Sequence, residues 1–196
     1  MEITEILNQI YALPAASCRK LQEKITEASF PKGKILLRAR RVEKTVYFIR
    51  KGIVRAYAHQ NDHEITFWFG QEGEAVISMN SYIQNKAGYE DIELLENCDL
   101  YCLRSEDLHR LYAEDIHIAN WGRKFAEREL LRTEARLISR QFSTASERYQ
   151  ELLRDHPDLL QRVQLGHIAS YLGITQVSLS RIRSALPSSP HQEITG

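Results

Sequence analysis

The side chains best suited to chemistry lie together in Gln164-Leu165-Gly166-His167-Ile168-Ala169-Ser170-Tyr171-Leu172-Gly173-Ile174-Thr175-Gln176-Val177-Ser178-Leu179-Ser180-Arg181-Ile182-Arg183. The spacing predicts one helix to Leu172, a turn at Gly173 and a second helix capped by Thr175. Small Ala169 lets the two helices approach, Gly173 supplies the backbone freedom of the turn, and Leu179 with Ile182 buries the second helix. Gln176, Val177, Ser180 and Arg181 then face outward, with Ser178 and Arg183 toward the flanks. Gln can pair with adenine and Arg with guanine through two hydrogen bonds each, and Val can contact a thymine methyl. Thr175 and Ser178, near a helix N-terminus, suit phosphate. This is the logic of a helix-turn-helix, whose second helix enters the major groove of double-stranded DNA.

Charge opposes that reading only on the total. The 196 residues hold 26 Lys and Arg against 26 Asp and Glu, whereas nucleic-acid binders usually carry a basic excess. From Leu159 to Leu186, however, the charged residues are Arg162, Arg181 and Arg183, so that segment is +3. Acids concentrate earlier, at Glu72, Glu74, Glu90, Asp91, Glu93, Glu96 and Asp99.

Other chemistry is poorly supported. Cys98 and Cys102 lie four strand residues apart, about 13 Å, too far for a disulfide or shared metal; with Cys18 they are expected to be small hydrophobes. His59 and His63 flank a hairpin tip, where polar residues are expected anyway. No metal or cofactor is predicted, although an unidentified small-molecule effector is allowed for. No Ser/His/Asp spacing, P-loop or metal motif points to an enzyme.

The elements that must position the C-terminal pair follow from periodicity. Residues 1 to about 30 are predicted helical, with Ile3, Ile6, Leu7 and Ile10 on one helix and Leu21 and Ile25 on a second. From Lys34 to about Leu103 come short runs rich in β-branched and aromatic residues, the texture of a β-sandwich or barrel. A long helix from about Asp115 to Phe142 carries Ile118, Trp121, Phe125, Leu131, Ala135 and Ile138 in a heptad-like stripe, expected to be a homodimer seam in preference to a helix lying on its own sandwich. The aromatic-rich uncharged stretch Ile65 to Gln71 is far below the roughly 20 residues of a membrane span. The N-terminus lacks signal-peptide character. A cytoplasmic protein with no membrane partner is expected.

With these parts in order, the chain resembles the Crp/Fnr family of bacterial transcription regulators, and within it a shortened branch. The residues that carry the resemblance are Gly33, Gly52, Glu64-Ile65-Thr66 to Phe69, Gly73-Glu74, Gln161-Arg162-Val163, Ala169 to Thr175 and Leu179 to Arg183. It implies an α+β fold: an N-terminal jelly roll like the cyclic-nucleotide-binding domain over 1–112, a dimerisation helix over 113–143, and a small all-α helix-turn-helix domain with a short tail over 144–196. It also implies a homodimer on a palindromic operator, with RNA polymerase as a further candidate partner. Cyclic-nucleotide binders of the family hold the ribose with a Gly-Glu pair and the phosphate with an Arg that follows. Gly73-Glu74 fits the first, but residues 88–91 read Gly88-Tyr89-Glu90-Asp91, and carboxylates repel a cyclic phosphate. The candidate pocket is thus Gly73, Glu74, Tyr89 and Glu90, and cyclic AMP is not expected in it. Three cysteines do not supply the four-cysteine iron–sulfur site of oxygen-sensing relatives. Val177 replaces an acidic reader, and little room for a β-wing follows Arg183. The alternative is a ligand-binding or signalling module whose C-terminal helices dock protein.

Overall fold

The computed structural model describes residues 1–61 and 63–185; Asp62 of the expected hairpin turn, Leu186 and the tail lie outside them. In chain order the elements are α1 (Ile3–Ile10), α2 (Ala15–Gln22), β1 (Ile25–Phe30), β2 (Ile35–Leu37), β3 (Thr45–Lys51), β4 (Val54–Gln60), β5 (His63–Gly70), β6 (Ala75–Val76), α3 (Met79–Gln84), β7 (Asp91–Leu94), β8 (Cys98–Arg104), α4 (Ser105–Glu114), α5 (Ile116–Phe142), α6 (Ala145–Asp155), α7 (Leu159–Arg162), α8 (Leu165–Leu172) and α9 (Gln176–Ala185). The chain divides into two compact units, 1–141 and 142–196. The long helix therefore belongs almost wholly with the first unit. Its expected start at 113 falls inside α4, which ends at Glu114.

In the first unit the strands form two antiparallel sheets, β1-β8-β3-β6 and β2-β7-β4-β5. Apart from the β4–β5 hairpin, successive strands alternate between the sheets, the topology of a jelly roll. Side-chain alternation builds a separate core on each side of the first sheet. Ile49, Leu100 and Cys98 pack against Val54, Ala56, Ile92 and Leu94 of the second sheet. Val46, Phe48, Tyr101 and Leu103 face the other way and meet α1, α2, α4 and α5.

One expected helix is in part a strand. Residues 25–30 pair in register with β8, Ile25 opposite Leu103 and Phe30 opposite Cys98. The helical spacing of Leu21 and Ile25 is real, but pairing along β8 satisfies six residues of main chain at once, and local periodicity yields to it.

α5 begins on a carboxylate. Asp115 Oδ1 accepts the backbone N–H groups of His117 at 3.0 Å and Ile118 at 3.4 Å. Ser17 Oγ donates to the same carboxylate at 3.0–3.1 Å, and Lys20 Nζ to Oδ2 at 2.8 Å. These donors, Lys20 foremost, hold its pKa at about 2, below the ordinary 3.8. The helix then presents Ile118, Trp121 and Phe125 to its own sandwich, where they are 0%, 1% and 6% exposed. Trp121 Nε1 donates to Leu7 O at 2.9 Å and its ring stacks on Phe125. Those three residues, expected at a seam between two copies, are instead part of the chain's own core. Burying each is worth about 1.5–3 kcal/mol.

The second unit is all helical among its described residues. Thr144 caps α6 and forms a reciprocal capping box with Glu147. Tyr149, Leu152, Leu159, Val163, Ile168, Ala169, Leu172 and Leu179 are its buried residues.

Candidate functional site

The second unit positions its polar side chains through two short helices and the turn between them. α8 ends at Gly173, whose φ of +69° lies in the left-handed region that a side chain disfavours. Ile174 N–H reaches back to Ala169 O at 3.0 Å and closes the turn. Arg148 of α6 donates to Leu172 O at 2.8 Å and also to Ser143 O, tying the end of α8 to the start of α6. Thr175 then caps α9: its Oγ1 accepts the Ser178 N–H at 3.1 Å. Its hydroxyl also lies 3.0 Å from Ser178 Oγ. Leu179 is 1% exposed and anchors the helix.

This anchoring decides which side chains point to solvent. Thr175, Gln176, Val177, Ser180, Arg181 and Arg183 are exposed, and Ser178 is half-buried. Ser184 shares the exposed face and was missed; its place four residues after Ser180 and seven after Val177 is the signal that could have found it. A Cβ on Gly166 would lie 2.6 Å from Gln176 Nε2, so the missing side chain is what accommodates the Gln176 amide against α8.

In the first unit the four expected pocket residues do not come together. Gly73 sits beside Met1 and Gln9, with its N–H donated to Ile49 O at 2.8 Å. Glu74 accepts the Gln71 N–H at 3.1 Å and pairs with Arg132 of α5 at 3.1 Å. Tyr89 and Glu90 lie at the other end of the α3 segment. Tyr89 is 64% exposed with its ring 5.8 Å from that of Phe67, and Glu90 is 7% exposed with Oε2 accepting the Tyr89 N–H at 2.9 Å. The cause is topological: residues 73–74 lead into β6 of one sheet, and residues 88–90 lead into β7 of the other. Ser78 and Ser81, 3% and 6% exposed, were missed. Ser78 Oγ and Glu90 Oε2 converge on Gly88, where a Cβ would lie 2.5 and 2.9 Å from them. Ser81 Oγ accepts the Glu43 N–H and donates to Lys86 O.

The cysteines are free, and burial pushes the Cys98 thiol up to about 11, leaving it protonated at neutral pH. His59 Nε2 lies 3.5 Å from Asp91 Oδ2. Among the described residues no group of three or more His, Cys, Asp or Glu is placed to hold a metal ion, and no helix is long and apolar enough to cross a membrane.

The strand order, the helices on one sheet and the α3 segment between β6 and β7 together define the first unit. Residues 27–115 match the cyclic nucleotide-binding domain. Solved structures share the architecture beyond that domain. FixK2 from Bradyrhizobium japonicum is 19% identical, with 82% of this chain and 83% of that chain covered and a TM-score of 0.72. The c-di-GMP-responsive global regulator CLP from Xanthomonas campestris is 18% identical over 87% and 90% of the two chains, TM-score 0.68. A Crp/Fnr-family transcriptional regulator from Eubacterium rectale is 14% identical over 87% and 82%, TM-score 0.69. At these identities the likeness is one of fold. No curated protein matches the sequence significantly.

Proposed function

We propose that the chain is a sequence-specific DNA-binding transcription regulator of the cytoplasm, acting as a homodimer, with the cyclic nucleotide-binding domain as its sensor. The observation that carries the reading is α9. Its buried side is fixed by Leu179, its outward side offers Gln176, Val177, Ser180 and Arg181, and no acid occurs from Leu159 to Leu186. A helix of this kind fits the major groove, Arg181 taking guanine and Val177 a thymine methyl. Thr175 and Ser178 are placed for phosphate. In a dimer the two helices would meet a palindromic operator in successive grooves about 34 Å apart. RNA polymerase is then a candidate partner at the promoter.

Pairing of two copies is supported by the second half of α5. Leu130, Leu131, Leu137 and Ile138 are 70%, 65%, 54% and 49% exposed, and Ala135 lies exposed among them. A run of large apolar side chains on one exposed helix marks an interaction site. Leu130 and Leu137 join Leu131, Ala135 and Ile138 there.

The test is selection of binding sites from a randomised palindromic DNA pool, followed by titration of the selected duplex with wild type and Arg181→Ala. Recovery of a palindrome, affinity that falls steeply with salt, and a loss of about 1–3 kcal/mol at one base position on substitution are expected. Absent or salt-insensitive binding overturns the reading in favour of helices that dock protein.

A further inference from the structure

Residues 31–44, which run from the end of β1 to the start of β3, hold Lys32, Lys34, Arg38, Arg40, Arg41 and Lys44 against one acid, Glu43. That is six cations to one anion in a chain whose net charge is zero, and all six are exposed. The carboxylates nearby are engaged by main chain. Glu43 Oε1 accepts the Arg38 N–H at 3.0 Å, and Asp91 Oδ1 accepts the Ala39 N–H at 3.0 Å. Among the described residues, no ion pair involves Arg38, Arg40 or Arg41.

The loop is also held in one shape beside the segment after α3. Arg40 has φ +62°, a left-handed conformation that a non-glycine residue adopts at some cost. Its N–H donates to Gly88 O at 2.8 Å, and Gly88 N–H donates back to Arg41 O at 3.2 Å. This exchange sets the arginine loop against residues 86–89, which add the exposed Lys86 and the exposed Tyr89 ring. Glu90 is buried, and its Oε2 accepts the Tyr89 N–H.

We propose that the β2–β3 loop and residues 86–89 form a surface site for a phosphorylated ligand with a flat aromatic ring, a nucleotide carrying two or more negative charges. Guanidinium forks match phosphate oxygens in pairs, and among the described residues none of the three has an ion pair that an incoming anion would have to break. Tyr89, already supported by Phe67, offers the ring a face to stack on. The double backbone tie keeps the ordering cost of binding low. A cyclic monophosphate, with one charge, satisfies only part of this site. The proposal goes beyond DNA reading and is tested with no DNA present, so either can fail alone.

Isothermal titration of the full chain at low salt with ATP, pyrophosphate and cyclic AMP tests it. ATP is expected to bind with a dissociation constant on the order of 10–100 μM, and cyclic AMP about tenfold or more weakly. Arg41→Gln, and Arg40→Asn (a residue that tolerates the left-handed backbone), should each weaken ATP and pyrophosphate about tenfold. Tyr89→Leu should weaken ATP about threefold or more and leave pyrophosphate unchanged. Unchanged thermal melting of these exposed-loop variants shows that the fold is intact. No heat from ATP and pyrophosphate at millimolar concentration overturns the site, as does ATP binding that survives both arginine substitutions. Equal ATP affinity in Tyr89→Leu overturns the nucleotide class.

Discussion

The two halves of α5 carry similar side chains to opposite ends. In the first, Ile118, Trp121 and Phe125 lie against Phe48 and Leu7 in the core of their own chain. In the second, Leu130, Leu131, Leu137 and Ile138 stand in solvent. The crossover falls at Arg128 and Arg132. Arg128 is half-buried and reaches Gln9 O, and its pKa is lowered chiefly by burial; Arg132 pairs with Glu74. A heptad stripe therefore does not say what it packs on. It says only that the helix has an apolar side, and the sandwich beneath uses that side for as long as it extends.

Substitutions that separate the halves sharpen this contrast. Trp121→Ala should cost about 3–5 kcal/mol in chemical denaturation, since it opens a cavity and leaves Leu7 O with only the Tyr11 N–H as donor. Leu130→Glu with Leu137→Glu should instead convert a dimer into a monomer in analytical ultracentrifugation, while each site changes monomer stability by about 0.5 kcal/mol or less. A cooperative loss of monomer stability in that double variant would break the contrast.

Asp115→Asn acts where the buried half begins and should cost about 1–2 kcal/mol at neutral pH. Because the folded carboxyl sits at about 2 and its ordinary value is 3.8, the stabilisation is present above pH 4 and lost as pH falls toward 2. Wild type and Asp115→Asn should thus converge in stability across that window, and a constant gap would refute the assignment. The smallest effect belongs to Arg132→Ala, which removes a half-exposed ion pair worth about 1 kcal/mol or less. Hydrogen exchange should rise around residues 128–132 and remain slow at 118–125.

Much of the fold was legible because it follows from period and punctuation. The strands between Lys34 and Leu103, the helix to Phe142 and the paired helices around Gly173 are all announced by local spacing. What failed shared one cause. Ile25 to Phe30 has helical spacing until β8 supplies a ladder for it. Gly73-Glu74 and Tyr89-Glu90 lie fifteen or so residues apart in sequence and were joined into one pocket, yet they open onto different sheets. Ser78 and Ser81 carry no motif at all, and only their burial, Ser78 beside Gly88 and Ser81 against Lys86 O, singles them out.

Residue order alone determined the outward set Gln176, Val177, Ser180 and Arg181, because a helix with one anchor, Leu179, has only one way to face. It also determined the segregation of charge, which needs no folding to be counted. Only tertiary structure decided that Trp121 is buried in the core of its own chain and Leu137 is left exposed. It also placed Arg40 and Arg41 beside Gly88. Those outcomes depend on which distant strands and loops arrive at a given surface, and burial there outweighs any preference a short stretch of sequence can express.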